Sequence, residues 1–430
     1  MIFLPLVTTA ALTQTTPAAL APRERALITA KLYAAVKFYF AHLSAIPDFD
    51  LEASYAKLLD EAFAAKDRYA FDLACIAFVA ELKNGHSNFY DDWLGTYNGE
   101  SLGFQAGYYE DKWVVTYSHI PELKVGEVLV SLDSQPFETF YQSKKRYISA
   151  SSERDSRNRF TYQRYLFPPQ FQLVKGDGTK VTIKRVPFIN VTEKTEGRWL
   201  VKDQVAYIKV PAFQPAVFEE DALKLVTEYK GAKSLILDLR GNGGGSTPSK
   251  LIDALMDRPY RSASWQSPQH VAVFKVWGDY ITELDKDPKA PHDETYGALS
   301  TLRDLGTGMY FSPSTWSKPS KLVFAGKVFI LIDRSVFSAG EDCCIPFKDN
   351  HRATIIGEAT GGSTGQPYSV SFPNGIGFRV SSKRDSFPDG SPFEGLGVQP
   401  DIAVSTTIAD LRSGKDPVLA KALELASKVP

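Results

Sequence analysis

Two hydrophobic runs, SLILDLR at 234–240 and KVFILID at 327–333, constrain this chain most. Each is apolar at nearly every position and gives way to small and polar residues that open a helical pattern. A strand with one wet face alternates apolar and polar residues, whereas an unbroken run is buried on both faces, as in a parallel sheet covered by helices. From about Gly197 onward such strands alternate with helical runs: VAYIKV (205–210), then DALKLVTEYK, then SLILDLR, then TPSKLIDALM, and later KVFILID followed by AGEDCCIPFKDN. This alternation predicts an α/β domain over residues 191–430.

The patterns upstream differ. Residues 22–98 carry apolar positions at three- and four-residue spacing with almost no glycine until Asn84-Gly85, so a helical bundle is expected there, with His86 on the loop that leaves it. Residues 99–190 hold short β segments, KWVVTYS (112–118), EVLVSLD (127–133), FQLVKG (171–176) and KVTIKRV (180–186), around a polar, helix-tolerant stretch; a compact β-rich module is expected. Residues 257–320 are rich in Trp, Tyr, Pro and Ser with weak periodicity, which suggests an insertion over the sheet edge or a lid. The first 21 residues open apolar and turn small, the pattern of a signal peptide, although no Lys or Arg precedes Arg23. A secreted or periplasmic location is therefore expected, with a cytoplasmic one as the alternative.

Composition excludes several classes. Lys plus Arg total 49 against 50 for Asp plus Glu, without long runs of one sign, which argues against nucleic acid or an anionic membrane as partner. Three cysteines, two of them adjacent at 343 and 344, fit neither a disulfide framework nor a zinc ligand set; no metal and no cofactor are expected. No stable membrane span is expected beyond the N-terminal segment.

Two loops of the α/β region hold unusual chemistry. LDLRGNGGGST (237–247) runs from a strand through glycines into a helix, but Ser246 breaks a dinucleotide fingerprint and no Gly-Lys-Ser/Thr follows for a phosphate loop. A structural glycine turn or an oxyanion hole remains. DRSVFSAGED (333–342) places Ser338 where a strand gives way to a helix. There it is either a nucleophile or the N-cap of a Ser-x-x-Glu box with Glu341. A serine nucleophile needs a base. Of the six histidines, His42 reads as a packed helix residue and His351 as surface. His119, His270 and His292 lack suggestive neighbours, and His86 in NGHSNF stands out without being decided by its own context.

Taken together, SLILDLRGNGGGS, DRSVFSAGED, IIGEATGGSTGQP and EGLGVQPDIAV resemble the ordered motifs of the C-terminal-processing and tricorn-type serine peptidase family, and NGHSNF resembles the histidine motif of its tricorn-like branch. LGFQAGYYEDKW with ELKVGEVLVSLDSQPF is similar to the degenerate PDZ domain many members carry. The resemblance implies a crotonase-like α/β core with an N-terminal helical bundle and an inserted PDZ-like module. It also implies a peptide or protein substrate, Ser338 as nucleophile, His86 as general base, Glu394 as the acid orienting the base, and the N–H groups of Ala339, Gly243 and Gly244 as oxyanion hole. The branch that uses a serine-lysine pair would need lysine at Ser363, so the histidine branch is favoured. Where tricorn-like members have a serine directly before the histidine, this chain has Gly85, and how Glu394 reaches His86 stays open. An ordinary histidine would make activity fall below about pH 6.5. The rival expectation is a non-catalytic carrier of hydrophobic ligands or peptides on the same scaffold.

Overall fold

The N-terminal residues form three helices, α1 (Pro22–Tyr39), α2 (Leu51–Ala64) and α3 (Arg68–Ala80). The computed structural model describes residues 19–94, 100–187, 193–268, 281, 285, 286, 289, 296–300 and 309–429. Helices α2 and α3 each begin on an aspartate: Asp50 accepts from the Ala53 N–H at 3.0 Å and Asp67 from the Ala70 N–H at 2.8 Å. Their core of Ile28, Leu32, Val36, Leu58, Phe71 and Val79 also takes in Ile376, Phe378 and Val380, from nearly three hundred residues downstream. A strand makes this possible. The segment NFYD forms β1 (Asn88–Asp91), which pairs antiparallel with residues 376–379. Helices alone were expected there; four residues carry no readable period, and this strand exists because its partner lies alongside it.

The β-rich segment follows as β2 (Phe104–Tyr109), β3 (Lys112–Ser118), β4 (Val128–Leu132), β5 (Gln170–Lys175) and β6 (Lys180–Lys184), antiparallel neighbours in that order. Between β4 and β5 the polar stretch folds into α4 (Phe137–Lys144) and α5 (Glu153–Arg159). These close over Trp113, Phe137, Tyr141 and Phe160.

The α/β region is a six-stranded sheet. Its strands are β7 (Glu196–Val201), β8 (Val205–Lys209), β9 (Ser234–Asp238), β10 (Lys327–Ile332), β11 (Ala353–Gly357) and, at the far edge, Ile402–Ala403. Only β7 and β8 pair antiparallel; the rest are parallel. Helices α6 (Val217–Glu228), α7 (Ser249–Leu255) and α8 (Ala339–Asp349) connect them. Side chains of one parity, such as Leu235, Leu237, Ile330 and Ile355, belong to the larger core; those of the other, such as Ile236, Phe329, Leu331 and Ile356, pack with Val418, Ala422 and Ala426 of helix Pro417–Ala426. Both faces are thus covered, which is why these strands read as unbroken apolar runs.

Because β9 and β10 are parallel neighbours, with Leu237 opposite Ile330 and Asp238 opposite Leu331, the loops that follow them leave the same sheet edge side by side. The glycine loop and the Ser338 loop are brought together by this pairing. Next to them a three-stranded sheet joins β1, β12 (Pro367–Ser371) and β13 (Ile376–Ser381), with β13 in the middle. Of the expected lid, residues 264–268 pair with both 309–312 and 384–386; much of the rest, including His270 and His292, lies outside the described residues. Among those described, no helix is long and apolar enough to cross a membrane.

Candidate active site

Ser338 sits on the turn between β10 and α8 with φ 54° and ψ −121°, a backbone conformation that costs a non-glycine residue about 1–3 kcal/mol and is kept only where its surroundings impose it. Here they do. The Ser338 N–H lies 3.1 Å from Glu341 Oε2 and 3.2 Å from the Ser363 carbonyl, and the Phe337 N–H donates to the Asn242 carbonyl at 2.9 Å. Glu341, fully buried, also accepts from the Thr360 hydroxyl and from the Gly362 and Ser363 N–H groups. Burial raises its pKa to about 8, against the pull of those hydrogen bonds. Half of the expected capping box is therefore present, the carboxylate on the Ser338 N–H. The Ser338 side chain makes no capping hydrogen bond to the helix. Ser338 Oγ instead lies 3.1 Å from His86 Nε2.

His86 follows the end of α3 through the loop Asn84-Gly85. The buried Asn84 side chain accepts from the His86 N–H at 3.1 Å and the Ser87 hydroxyl at 2.9 Å, fixing the turn. The imidazole stacks on Phe337, with centroids 4.6 Å apart and planes 9° apart, while the Arg159 guanidinium lies 4.7 Å from the same ring. Only 5% of His86 is exposed. Burial, then the positive charges of Arg379 and Arg159, hold its pKa well below 6.5. The acid limb expected near that pH from an ordinary histidine is thereby displaced downward.

His86 Nδ1 is 3.0 Å from Ser363 Oγ, and Ser363 Oγ is 3.0 Å from Glu394 Oε1. Ser363 has one hydroxyl proton, and an ionised Glu394 can only accept, so that proton goes to the carboxylate and Nδ1–H donates to Ser363. His86 is then the tautomer with a free lone pair on Nε2, facing Ser338. Glu394 Oε1 also accepts from Ser151 Oγ at 2.5 Å and Asn84 Nδ2 at 2.8 Å, while its buried Oε2 has no partner among the described residues. Burial raises the Glu394 pKa to about 7 despite the two serine hydroxyls.

The question left by Gly85 is resolved by space. A Cβ there would stand 2.8 Å from the Arg159 guanidinium and 3.1 Å from Asp155 and from Phe337. Arg159 is pinned by Asp155 Oδ1 at 2.6 Å and by the Gly85 carbonyl at 3.1 Å. A serine before His86 does not fit; the bridging hydroxyl comes from Ser363, a position sequence reasoning weighed only for a missing lysine. Asn84 and Ser151 were also missed. Asn84, two residues before His86 at a helix end, carried the only local signal.

Of the expected oxyanion donors, Gly244 needs correction: its N–H donates to Asn242 Oδ1 at 2.9 Å. Its role is steric. With φ 101° it lies so close under the nucleophile that a Cβ would be 2.7 Å from Ser338 Cβ. The Gly243 and Ala339 N–H groups donate to no partner among the described residues. Gly243 is exposed, and a side chain there would meet nothing within 4 Å. The other histidines stand apart: His42 is buried with Nε2 3.1 Å from the Lys383 carbonyl, His119 is bonded to the Tyr117 hydroxyl, and His351 is exposed.

Several known proteins are similar to this chain. A Chlamydia pneumoniae protein is 30% identical over 224 residues, covering 43% of this chain and 35% of its own length. The chloroplastic C-terminal processing peptidase of Tetradesmus obliquus is 25% identical over 236 residues, covering 53% of this chain and 42% of its own length. Alignments to the first curated relatives span 34–42% of those proteins. Among solved structures, mature CPAF complexed with lactacystin superposes with a TM-score of 0.68 at 15% identity, covering 94% of this chain and 98% of that one, a likeness of fold. Residues 204–404 match peptidase family S41, which is what this part of the chain is similar to.

Proposed function

We propose that this protein is a serine peptidase that cleaves peptide bonds through an acyl-enzyme on Ser338. The observation that carries the reading is the unbroken series from Ser338 Oγ to His86 Nε2 at 3.1 Å, from Nδ1 to Ser363 at 3.0 Å and on to Glu394 at 3.0 Å. His86 accepts the serine proton as Oγ attacks the carbonyl carbon and returns it to the leaving amine. Glu394, through Ser363, stabilises the imidazolium between those events, and the Gly243 and Ala339 N–H groups receive the oxyanion. A carrier of apolar ligands has no use for such a series. The division into a signal segment (1–21), helical bundle (22–98), PDZ-like module (99–190) and crotonase-like core (191–430), with export from the cytoplasm, is part of the same proposal; the antiparallel sheet with α4 and α5 supports the PDZ-like module, and the mostly parallel sheet with its crossover helices supports the core. A fluorophosphonate adduct mapped by mass spectrometry to Ser338 tests the nucleophile. An adduct elsewhere, or none on folded protein, removes the reading.

The pH profile tests the relay. Activity needs neutral His86 and anionic Glu394. The His86 pKa is held well below 6.5, and that of Glu394 is raised to about 7. As pH falls through about 7 the carboxylate is lost first, and kcat/KM is expected to drop toward a plateau about 10- to 100-fold lower, the worth of a charge-assisted contact. Glu394→Gln should sit on that plateau from pH 8 to 6 without a step. A wild-type profile flat over this range, or a step that survives in the variant, would assign the titration to another group.

A further inference from the structure

Beside the His86 loop lies a cavity of about 530 Å³, within the range of ligand pockets, on the face shared by β1, β12 and β13. Asn88, Arg379 and Ser369 form one row across these three strands, and all line it. Tyr90, Tyr162 and Tyr165 supply aromatic walls, and the buried Arg164 lines it as well. Asp91 is the carboxylate among the lining residues, and both its oxygens are taken by Arg68, at 2.5 and 3.0 Å. The Arg379 guanidinium makes no hydrogen bond and no ion pair among the described residues. Burial and the neighbouring Arg159 disfavour its charged form, and among charged groups it acts most strongly on the His86 ring. A partly exposed guanidinium that lines a cavity of ligand size without a carboxylate partner is free to pair with an anion that enters it.

We propose that this cavity is a specificity pocket that takes a carboxylate of the peptide substrate against Arg379, from either an acidic side chain or a chain terminus. The assignment rests on the peptidase reading of Ser338. Arg379 supplies fork geometry for two oxygens, and the tyrosine rings cover the carbon skeleton beside it.

The Ser338→Ala chain, which should bind without cleaving, is titrated by fluorescence anisotropy with three N-terminally labelled peptides. These are Ala-Ala-Glu-Ala-Ala amide, Ala-Ala-Gln-Ala-Ala free acid and Ala-Ala-Gln-Ala-Ala amide. A carboxylate-bearing peptide is expected to bind about 10- to 100-fold more tightly than the neutral one, and which of the first two does so identifies the source of the carboxylate. Adding Arg379→Gln should erase the difference, Arg379→Lys should keep only part of it because an ammonium cannot hold two oxygens as a fork does, and Arg379→Glu should transfer preference to a Lys-containing peptide. Equal binding of acidic and neutral peptides, or a preference that survives Arg379→Gln in a protein with an unchanged melt, overturns the pocket. Fluorophosphonate labelling of wild-type protein needs no carboxylate. Labelling without carboxylate preference sinks the pocket alone; absent labelling sinks the peptidase reading, while the binding comparison still decides the pocket.

Discussion

Ser338→Ala is expected to lower kcat/KM for a cleavable peptide on the order of 10⁴- to 10⁶-fold and to leave thermal stability unchanged. The first half follows from removing the oxygen that the proposed acyl bond requires, since residual catalysis by oxyanion donors and binding survives such a loss only weakly. The second half separates the two readings of this serine. A hydroxyl capping α8 would cost about 0.5–2 kcal/mol on replacement by alanine. Here the hydroxyl lies on His86, while the Ser338 N–H is held by Glu341 and the Glu341 N–H reaches the Ser338 carbonyl at 2.8 Å. Backbone and carboxylate remain in the variant, so the start of α8 should persist. A clear fall in melting temperature with activity within tenfold of wild type would show that the residue is a cap and that some other group attacks.

The contrast shows what a sequence can and cannot carry. Ser-x-x-Glu states that a helix begins and that the glutamate folds back; which serine atom closes the box depends on contacts with Asn242 and Ser363 that lie distant in the chain. The strands of the α/β region were legible because burial on both faces leaves no polar position to blur them, and the expected KVFILID run agrees with β10 to one residue. Helix α7 begins at Ser249, two residues later than Thr247 suggested, after Pro248. β1 was illegible since its stabilisation comes from residues 376–379. Within the site, Ser338 and the glycine loop announce themselves by small residues at strand ends. His86 carries no such mark and was reached through the family resemblance. Ser363 was noticed for the lysine it is not, because its function depends on standing 3.0 Å from two groups, 277 and 31 residues away.

That bridge yields the second large effect. Ser363→Ala is expected to reduce kcat/KM by about 10²- to 10⁴-fold, approaching the loss seen when a triad histidine is left without its orienting acceptor. The variant removes one oxygen and little else. Ser363 N–H still reaches Glu341 at 3.1 Å, its carbonyl still faces the Ser338 N–H at 3.2 Å, and Glu394 keeps Ser151 and Asn84. What changes is His86: its Nδ1–H loses its acceptor in a buried site, the tautomer with Nε2 free is no longer favoured, and the imidazolium forms without a path to Glu394. Fluorophosphonate labelling should slow together with turnover, because both require the same proton transfer. Ser151→Ala is the matched control, since it removes a hydrogen bond from the same Glu394 oxygen without touching the imidazole; a loss of about tenfold or less is expected, the worth of one hydrogen bond. If Ser363→Ala behaves like Ser151→Ala, the acid does not reach the base through Ser363. Loss in Ser363→Ala alone, with labelling and turnover slowed equally, would place the bridge in the hydroxyl itself.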